Sequence, residues 1–284
     1  MKWQIAAALV SCLAAAAAMS EAAGTKSPPD VEQILNKYAA ARGGRDAWSK
    51  IETMVWSGRI ESEHHAAPGT TFVMSFKRPS MTRFEISAPS QKTAHIYDGA
   101  RGWKLRQKHG GDPELQDYNA EELSFARDAL GMDGPLMDYK SNGVVATLAG
   151  SEPIEGHKAY RLNLALPSGA TRRTWIDADT FLELRYDRQV DPAAGRPDTV
   201  SVFYRDYRTY EGGVQIPSLI ETVSGNDKTK DQMHIDRVVL NPPLQDELFT
   251  KPRVRGRGAG AARPPTSEGV ASPAAAPLSR GRRR

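Results

Sequence analysis

Residues 70–105 read TTFVMSFKRPSMTRFEISAPSQKTAHIYDGARGWKL, and the apolar ones fall on every second position. Phe72, Met74 and Phe76 alternate with other residues, then Phe84 and Ile86, then Trp103 and Leu105. A repeat of two is that of an extended chain, whose successive side chains point to opposite sides. The interruptions at Lys77-Arg78-Pro79, Ala88-Pro89-Ser90 and Asp98-Gly99 carry residues that turn a chain back on itself. The stretch predicts hairpins with one greasy face of Phe, Met and Trp. That face is either a filled core or a pocket for something apolar, and the choice decides the function.

The same alternation extends on both sides. A strand is predicted over Thr53–Glu63, with Met54, Trp56, Gly58 and Ile60 on one side. From Val144 onward, VVATLAG, KAYRLNLAL, TRRTWIDA, FLELRYD, TVSVFYRDYR, IPSLIETVS and DQMHIDRVVL follow at hairpin spacing. Turn residues separate them, among them Glu155-Gly156, Ser168-Gly169 and Gly212-Gly213. About 11–12 strands joined by short links argue for an antiparallel meander, and the fold class is mainly β.

Two segments keep helical rather than extended spacing. Asp30 can cap VEQILNKYAAAR, which ends at Gly43-Gly44 and carries Val31, Ile34, Leu35 and Tyr38 on one face. A short turn over RDAWSK follows. In mid-chain, NAEELSFARDALGMDGPLMDY places Leu123, Ala126 and Leu130 three or four apart, and Asn119 with Glu122 forms a helix start. One amphipathic helix between two runs of strands would cover a face or mouth of a curved sheet.

The ends have a different composition. MKWQIAAALVSCLAAAAAMSEAAG reads as a secretory signal, with cleavage expected after Ala22 or Ala18, and places the mature protein in a bacterial periplasm. Cys12, the single cysteine, lies inside it, so the mature chain is expected to lack disulfides and thiol chemistry. The alternative is a lipobox ending at Cys12, which would anchor the chain by lipid. Residues 251–284 hold nine Lys/Arg and one Glu. Taking this +8 from the whole-chain +4 leaves the preceding chain at −4. The tail 253–284 is Gly, Ala, Pro and Arg with almost no large apolar side chain, and disorder is expected there.

The string F-x-x-x-F-K-R-P-x-x-x-R-F at Phe72–Phe84, followed by Ala88-Pro89, Tyr97-Asp98-Gly99 and Trp103, resembles the periplasmic lipoprotein-sorting family (LolA/LolB-like). GPLMDYK at Gly134–Lys140 and NPPLQDELFTKP at Asn241–Pro252 resemble that family's lid and closing segment. The turn GGVQIP and the strands around it suit the divergent branch called outer-membrane lipoprotein-sorting proteins, while the basic tail has no counterpart. The resemblance implies an unclosed antiparallel β-barrel over residues 30–252, with an N-terminal helix and a helical lid over its concave face. Arg78 stands where the family's arginine latches the lid.

Alternation alone favours a filled core, because it reports burial and not emptiness. The resemblance implies instead a concave face left partly empty for acyl chains, for which flexible Met side chains are suited. The expected lining is then Met54, Trp56 and Ile60 on the first strand and Phe72, Met74 and Phe76 on the second. Phe84, Ile86 and Trp103 continue it, and Leu130 and Leu136 contribute from the lid. At about 0.8 kcal/mol per buried methylene, acyl chains bind strongly with no hydrogen-bond specificity.

Motifs for chemistry are sparse. His64 and His65 are adjacent and would point to opposite faces, and His95, His109, His157 and His234 are scattered, so no metal site is expected. No Gly-x-Ser-x-Gly, His-Glu-x-x-His or phosphate-binding loop occurs. Gly256, Gly258 and Gly260 sit in the tail after no βαβ unit, and Asp177 and Asp179 read as turn residues. No catalytic residues and no cofactor are assigned.

The expected function is a monomeric periplasmic carrier of lipidated protein or other lipid cargo, catalysing nothing. A sensor or scaffold docking a protein partner is the alternative, with a hydrolase third. Nucleic acid is not the polyanion available after export. An anionic membrane surface is, and would draw the basic tail at about 1 kcal/mol per residue near it. A solvated tail without a partner is the competing reading.

Overall fold

The structure, a computed structural model, describes residues 29–62, 66–190, 198–224 and 229–254. The expected signal segment, Cys12, His64, His65 and the tail from residue 255 lie outside the described residues.

Helix α1 (Val31–Ala41) begins where Asp30 accepts from the Gln33 amide at 2.8 Å, and buries Ile34, Leu35, Tyr38 and Ala39. Its end needs a glycine for two reasons. Gly43 has φ +107°, and a Cβ there would lie 2.5 Å from the Gly213 carbonyl oxygen. The short helix α2 (Arg45–Ser49) then drives Trp48 inward, where its indole donates to the Arg42 carbonyl at 2.8 Å.

Six strands follow: β1 (Thr53–Ser62), β2 (Thr71–Lys77), β3 (Met81–Ala88), β4 (Gln91–Tyr97), β5 (Gly102–Lys108) and β6 (Glu114–Asp117). After helix α3 (Ala120–Asp128) come β7 (Val145–Ile154), β8 (His157–Ala165), β9 (Thr171–Asp177) and β10 (Glu183–Val190). The chain closes its sheet with β11 (Asp198–Thr209), β12 (Gln215–Ser224) and β13 (Lys230–Leu240). All pair antiparallel in one sheet of order β6-β5-β4-β3-β2-β1-β13-β12-β11-β10-β9-β8-β7. Strands β6 and β7 are its two free ends, so the barrel is unclosed.

The sheet has thirteen strands where the sequence predicts 11–12. The extra one is β6, Glu114-Leu115-Gln116-Asp117, whose polar residues hide its alternation; Leu115 pairs opposite Leu105 and packs against the cluster of Ala94, Ile96 and Trp103.

Partners in an antiparallel pair share a face, which fixes the inside of the curve. Met54 lies opposite Phe76, Trp56 opposite Met74, Met74 opposite Phe84, and Phe72 opposite Ile86. The row continues across the seam as Ile60, Met233, Ile220 and Tyr204. α1 and α2 pack into this concave face. One cluster joins Ile34, Leu35 and Tyr38 to Leu162, Leu164 and Ile176; another joins Trp48 and Ile51 to Met54, Phe76 and Ile216. Each fully buried side chain of this size contributes about 1.5–3 kcal/mol.

Trp103 does not join them. It pairs with Ile96, which pairs with Arg83, and so faces outward in a small cluster with Ala94, Leu105 and Leu115. The segment after β13 crosses the outer face near here. Lys77 donates to the Leu244 carbonyl at 2.8 Å, Arg83 to that of Leu248 at 3.1 Å, and Lys251 pairs with Asp117 of β6. Phe249, in a 3-10 turn over Asp246–Phe249, is fully buried.

Candidate functional site: a roofed cavity with a charged wall

The roof begins at α3. Asn119 accepts from the Glu122 amide at 2.8 Å while the Glu122 carboxylate accepts from the Asn119 amide at 2.9 Å, so two orphan donors of the first turn are satisfied reciprocally. The other Glu122 oxygen accepts from Lys104 of β5 at 2.7 Å, which ties the helix to one half of the sheet. The other half holds it through Asp128, whose carboxylate accepts from the backbone amide and hydroxyl of Ser168. The Arg188 guanidinium also lies 4.5 Å over the Phe125 ring. Beyond α3, Leu130 and Gly131 adopt φ of +53° and +62°, and the chain turns down into the concave face.

That descending loop is pinned by Arg78. The guanidinium donates to both oxygens of Asp133, and also to the carbonyls of Ile51 at 2.8 Å and Trp48 at 2.9 Å. Met132, Leu136, Met137 and Tyr139 then sink into the two core clusters. Arg78 therefore joins the α2–β1 turn, the end of β2 and the roof in one set of bonds.

Beneath the roof lies a cavity of about 310 Å³. That is at the small end of ligand pockets, which run from about 300 to 1,000 Å³. Trp56 and Phe76 form one wall, Phe125, Met132 and Pro135 hang from above, and Tyr186, Tyr204, Tyr207, Pro217 and Ile220 form the facing wall. The Trp56 indole N–H is buried with no hydrogen-bond partner.

Of the eleven residues expected to line the hollow, Trp56 and Phe76 do so. Met54 and Phe72 share the concave face but are 0% and 2% exposed, and fill it rather than border a space. Ile60, Met74, Phe84 and Ile86 lie on the same face, half-buried, away from the cavity. Leu136 is buried in the α1 cluster with Leu130 packed beside it, so the roof presents Phe125, Met132 and Pro135 to the cavity instead. Trp103 is on the outer face, because alternation fixes sides within one strand and says nothing about the offset carried through a hairpin.

The facing wall comes from the second half of the sheet. Tyr204 and Tyr207 are three apart, a spacing that breaks the alternation; Asp206 between them has φ +53°, and its carbonyl accepts from the Ser218 hydroxyl at 2.8 Å. That irregularity lets both rings border the same space. The register shift between Glu183 and Arg185 acts similarly, placing Glu183 beside Tyr186.

The wall is also charged. Arg42, buried, donates to the Tyr38 hydroxyl at 2.7 Å and to the Gln215 carbonyl at 2.9 Å. Arg172 lies 3.4 Å over the Tyr186 ring, and its Nη2 is 3.5 Å from Glu183 Oε1. Glu183 is held by the Thr174 hydroxyl at 2.5 Å, while its backbone carbonyl accepts from Tyr207 at 2.9 Å. Burial pushes the phenols of Tyr38, Tyr204 and Tyr207 up, so they remain neutral donors.

No family model matches the sequence, and no curated protein matches it. Among solved structures it is similar to a DUF1329 family protein from Desulfovibrio piger, at 14% identity and TM-score 0.52 over 78% of this chain and 98% of that one. It is also similar to a LolA superfamily protein from Nitrosomonas europaea, at 15% identity and TM-score 0.49 over 79% of this chain and 99% of that one. What is shared with the Desulfovibrio piger protein at such identity is the fold, which in this chain is an unclosed antiparallel half-barrel with helices in its concavity.

Proposed function

We propose that this protein is a periplasmic carrier that holds the acyl part of a lipid or lipoprotein under its α3 roof for transfer towards the outer membrane. The observation that carries the reading is the cavity of about 310 Å³ between the roof and the aromatic concave face. An apolar, partly enclosed space fits hydrocarbon, which gains roughly 0.8 kcal/mol per methylene withdrawn from water. Arg78 acts as the latch, since opening the roof requires breaking its bonds to Asp133. The role is binding and release, not catalysis. The basic tail adds attraction to anionic headgroups. Docking of a protein on the concave face is less well supported, because α1, α2 and the roof already occupy that surface.

The test is uptake of a fluorescent fatty acid by the purified mature protein, with native mass spectrometry for co-purified lipid. Phe76→Glu places a charge in the cavity wall. A folded Phe76→Glu protein, judged by circular dichroism, is expected to lose most uptake, and undiminished uptake would sink the reading.

A further inference from the structure

Three arginines, Arg42, Arg172 and Arg188, and four acids, Glu121, Asp128, Asp133 and Glu183, line the cavity, and they are not equally well partnered. Arg42 is buried against it and Arg172 is half-buried, with Glu183 the buried carboxylate beside Arg172. Arg42 is well supplied with bonds to Tyr38, Gln215 and the Trp48 ring. Arg172 is not. Its side chain is 11% exposed, it has one loose contact with Glu183 at 3.5 Å, and its Nε is buried without a hydrogen-bond partner. None of the other lining acids bonds Arg172: Asp133 pairs with Arg78, Asp128 accepts from the neutral Ser168, and Glu121 is exposed on α3, while Arg188 lies over the Phe125 ring. An Nε–H held out of water without an acceptor is costly, and an anion bonding the Nε edge of this guanidinium would offset that cost.

From these contacts we infer that the cavity selects an amphiphile with one hydrocarbon tail and one anionic head, a carboxylate or a phosphate, whose oxygens meet Arg172 while the tail lies between Trp56 and Phe125. This rests on the carrier reading and narrows its cargo. Several large acyl chains do not suit a space at the small end of ligand pockets, whereas a single tail does. Tyr204, beside Tyr186 at a ring separation of 5.9 Å, offers a neutral hydroxyl donor on the same wall. Glu183 sets the balance, since it neutralises part of the charge that the head would meet.

The test compares probes of equal tail length by displacement of a fluorescent fatty acid from the full mature protein: palmitate, hexadecyl phosphate, hexadecanol, and inorganic phosphate alone. The wild-type protein is expected to prefer palmitate and hexadecyl phosphate over hexadecanol by roughly tenfold or more, as for a hydrogen bond to a charged group. Inorganic phosphate is expected not to compete. Arg172→Leu should bring the palmitate-to-hexadecanol ratio to about one, and Glu183→Gln should raise palmitate affinity by removing the opposing charge. If Arg172→Leu does not fold, Arg172→Lys and Glu183→Gln decide, the first expected to weaken the preference and the second to strengthen it. Equal affinity of the wild-type protein for palmitate and hexadecanol overturns the head-group assignment and leaves the carrier reading standing. Failure of every amphiphile to bind overturns both. Inorganic phosphate competing as well as hexadecyl phosphate would make this a free-anion site and overturn the lipid assignment.

Discussion

Arg78 donates to both carboxylate oxygens of Asp133, Nη1 to Oδ2 at 2.5 Å and Nη2 to Oδ1 at 2.7 Å, and this paired contact fastens the roof to the end of β2. The two side chains are 24% and 19% exposed, so neither is freely solvated when the other is removed. Arg78→Leu leaves Asp133 facing a half-buried site alone and is expected to cost about 2–4 kcal/mol. Hydrogen exchange over residues 129–137 should speed up by more than exchange in β12 and β13. Uniform acceleration across the chain would show that the contact supports the whole fold and not the roof in particular.

The seam of the sheet depends on a residue without a side chain. Gly58 lies opposite Ile235 where the register shifts, and a Cβ there would stand 1.8 Å from the His234 carbonyl oxygen and 3.0 Å from the Phe72 ring. No rotamer relieves contact with a backbone oxygen, so Gly58→Ala must separate β1 from β13. A loss of at least about 3 kcal/mol in urea unfolding is expected, at the diagnostic end for single substitutions. A loss below about 1 kcal/mol would mean the seam yields without breaking.

The reciprocal cap on α3 gives a smaller and more local effect. Asn119→Ala removes the acceptor of the Glu122 amide and frees one end of the box. It is expected to cost about 1 kcal/mol. Limited proteolysis should reveal it as faster cleavage within residues 120–128, with other sites little changed.

Acid should weaken the second half of the sheet through a carboxylate cluster around Arg205. That guanidinium beside Glu155 holds its carboxyl below the usual range. Burial alone would raise Glu221, but Lys230, Gln232 and Arg205 together bring it down. Both acids thus have folded pKa values below their unfolded ones. Their stabilisation is present above the unfolded value of about 4.3 and is lost as pH falls through the folded values. Urea midpoints should be level near pH 6 and decline below about pH 4. Glu155→Gln should make that decline shallower, and an unchanged slope would remove Glu155 from the account.

Much of this architecture could be read along the chain, and particular residues show where reading stopped. Asp30 and the Asn119–Glu122 pair start α1 and α3 as their side-chain chemistry dictates, because a cap is a local event within four residues. Alternation put Trp56 and Phe76 on the concave face correctly. It failed for Trp103, whose side depends on how the hairpin at Asp98–Arg101 hands on the register. The tyrosine and arginine wall was harder to foresee. Tyr204 and Tyr207 reach the cavity together through the left-handed backbone at Asp206, and Arg172 looks in sequence like one of two ordinary surface arginines. Burial of a charge comes from the whole fold, and no short window records it.

The pairing of β1 with β13 also governs how the molecule can be made. Trp56 meets Val238, so β1, near the middle of the sheet, receives its second neighbour only after the eleven strands β2 to β12 have emerged. Until then one side of β1 is an open row of unpaired amides and carbonyls next to a bare Met and Phe surface, a template for association with other chains. Such long-range closure makes for slow maturation. A helper that keeps the nascent first half apart from its neighbours should therefore raise the yield of folded protein more than any change confined to the last strands.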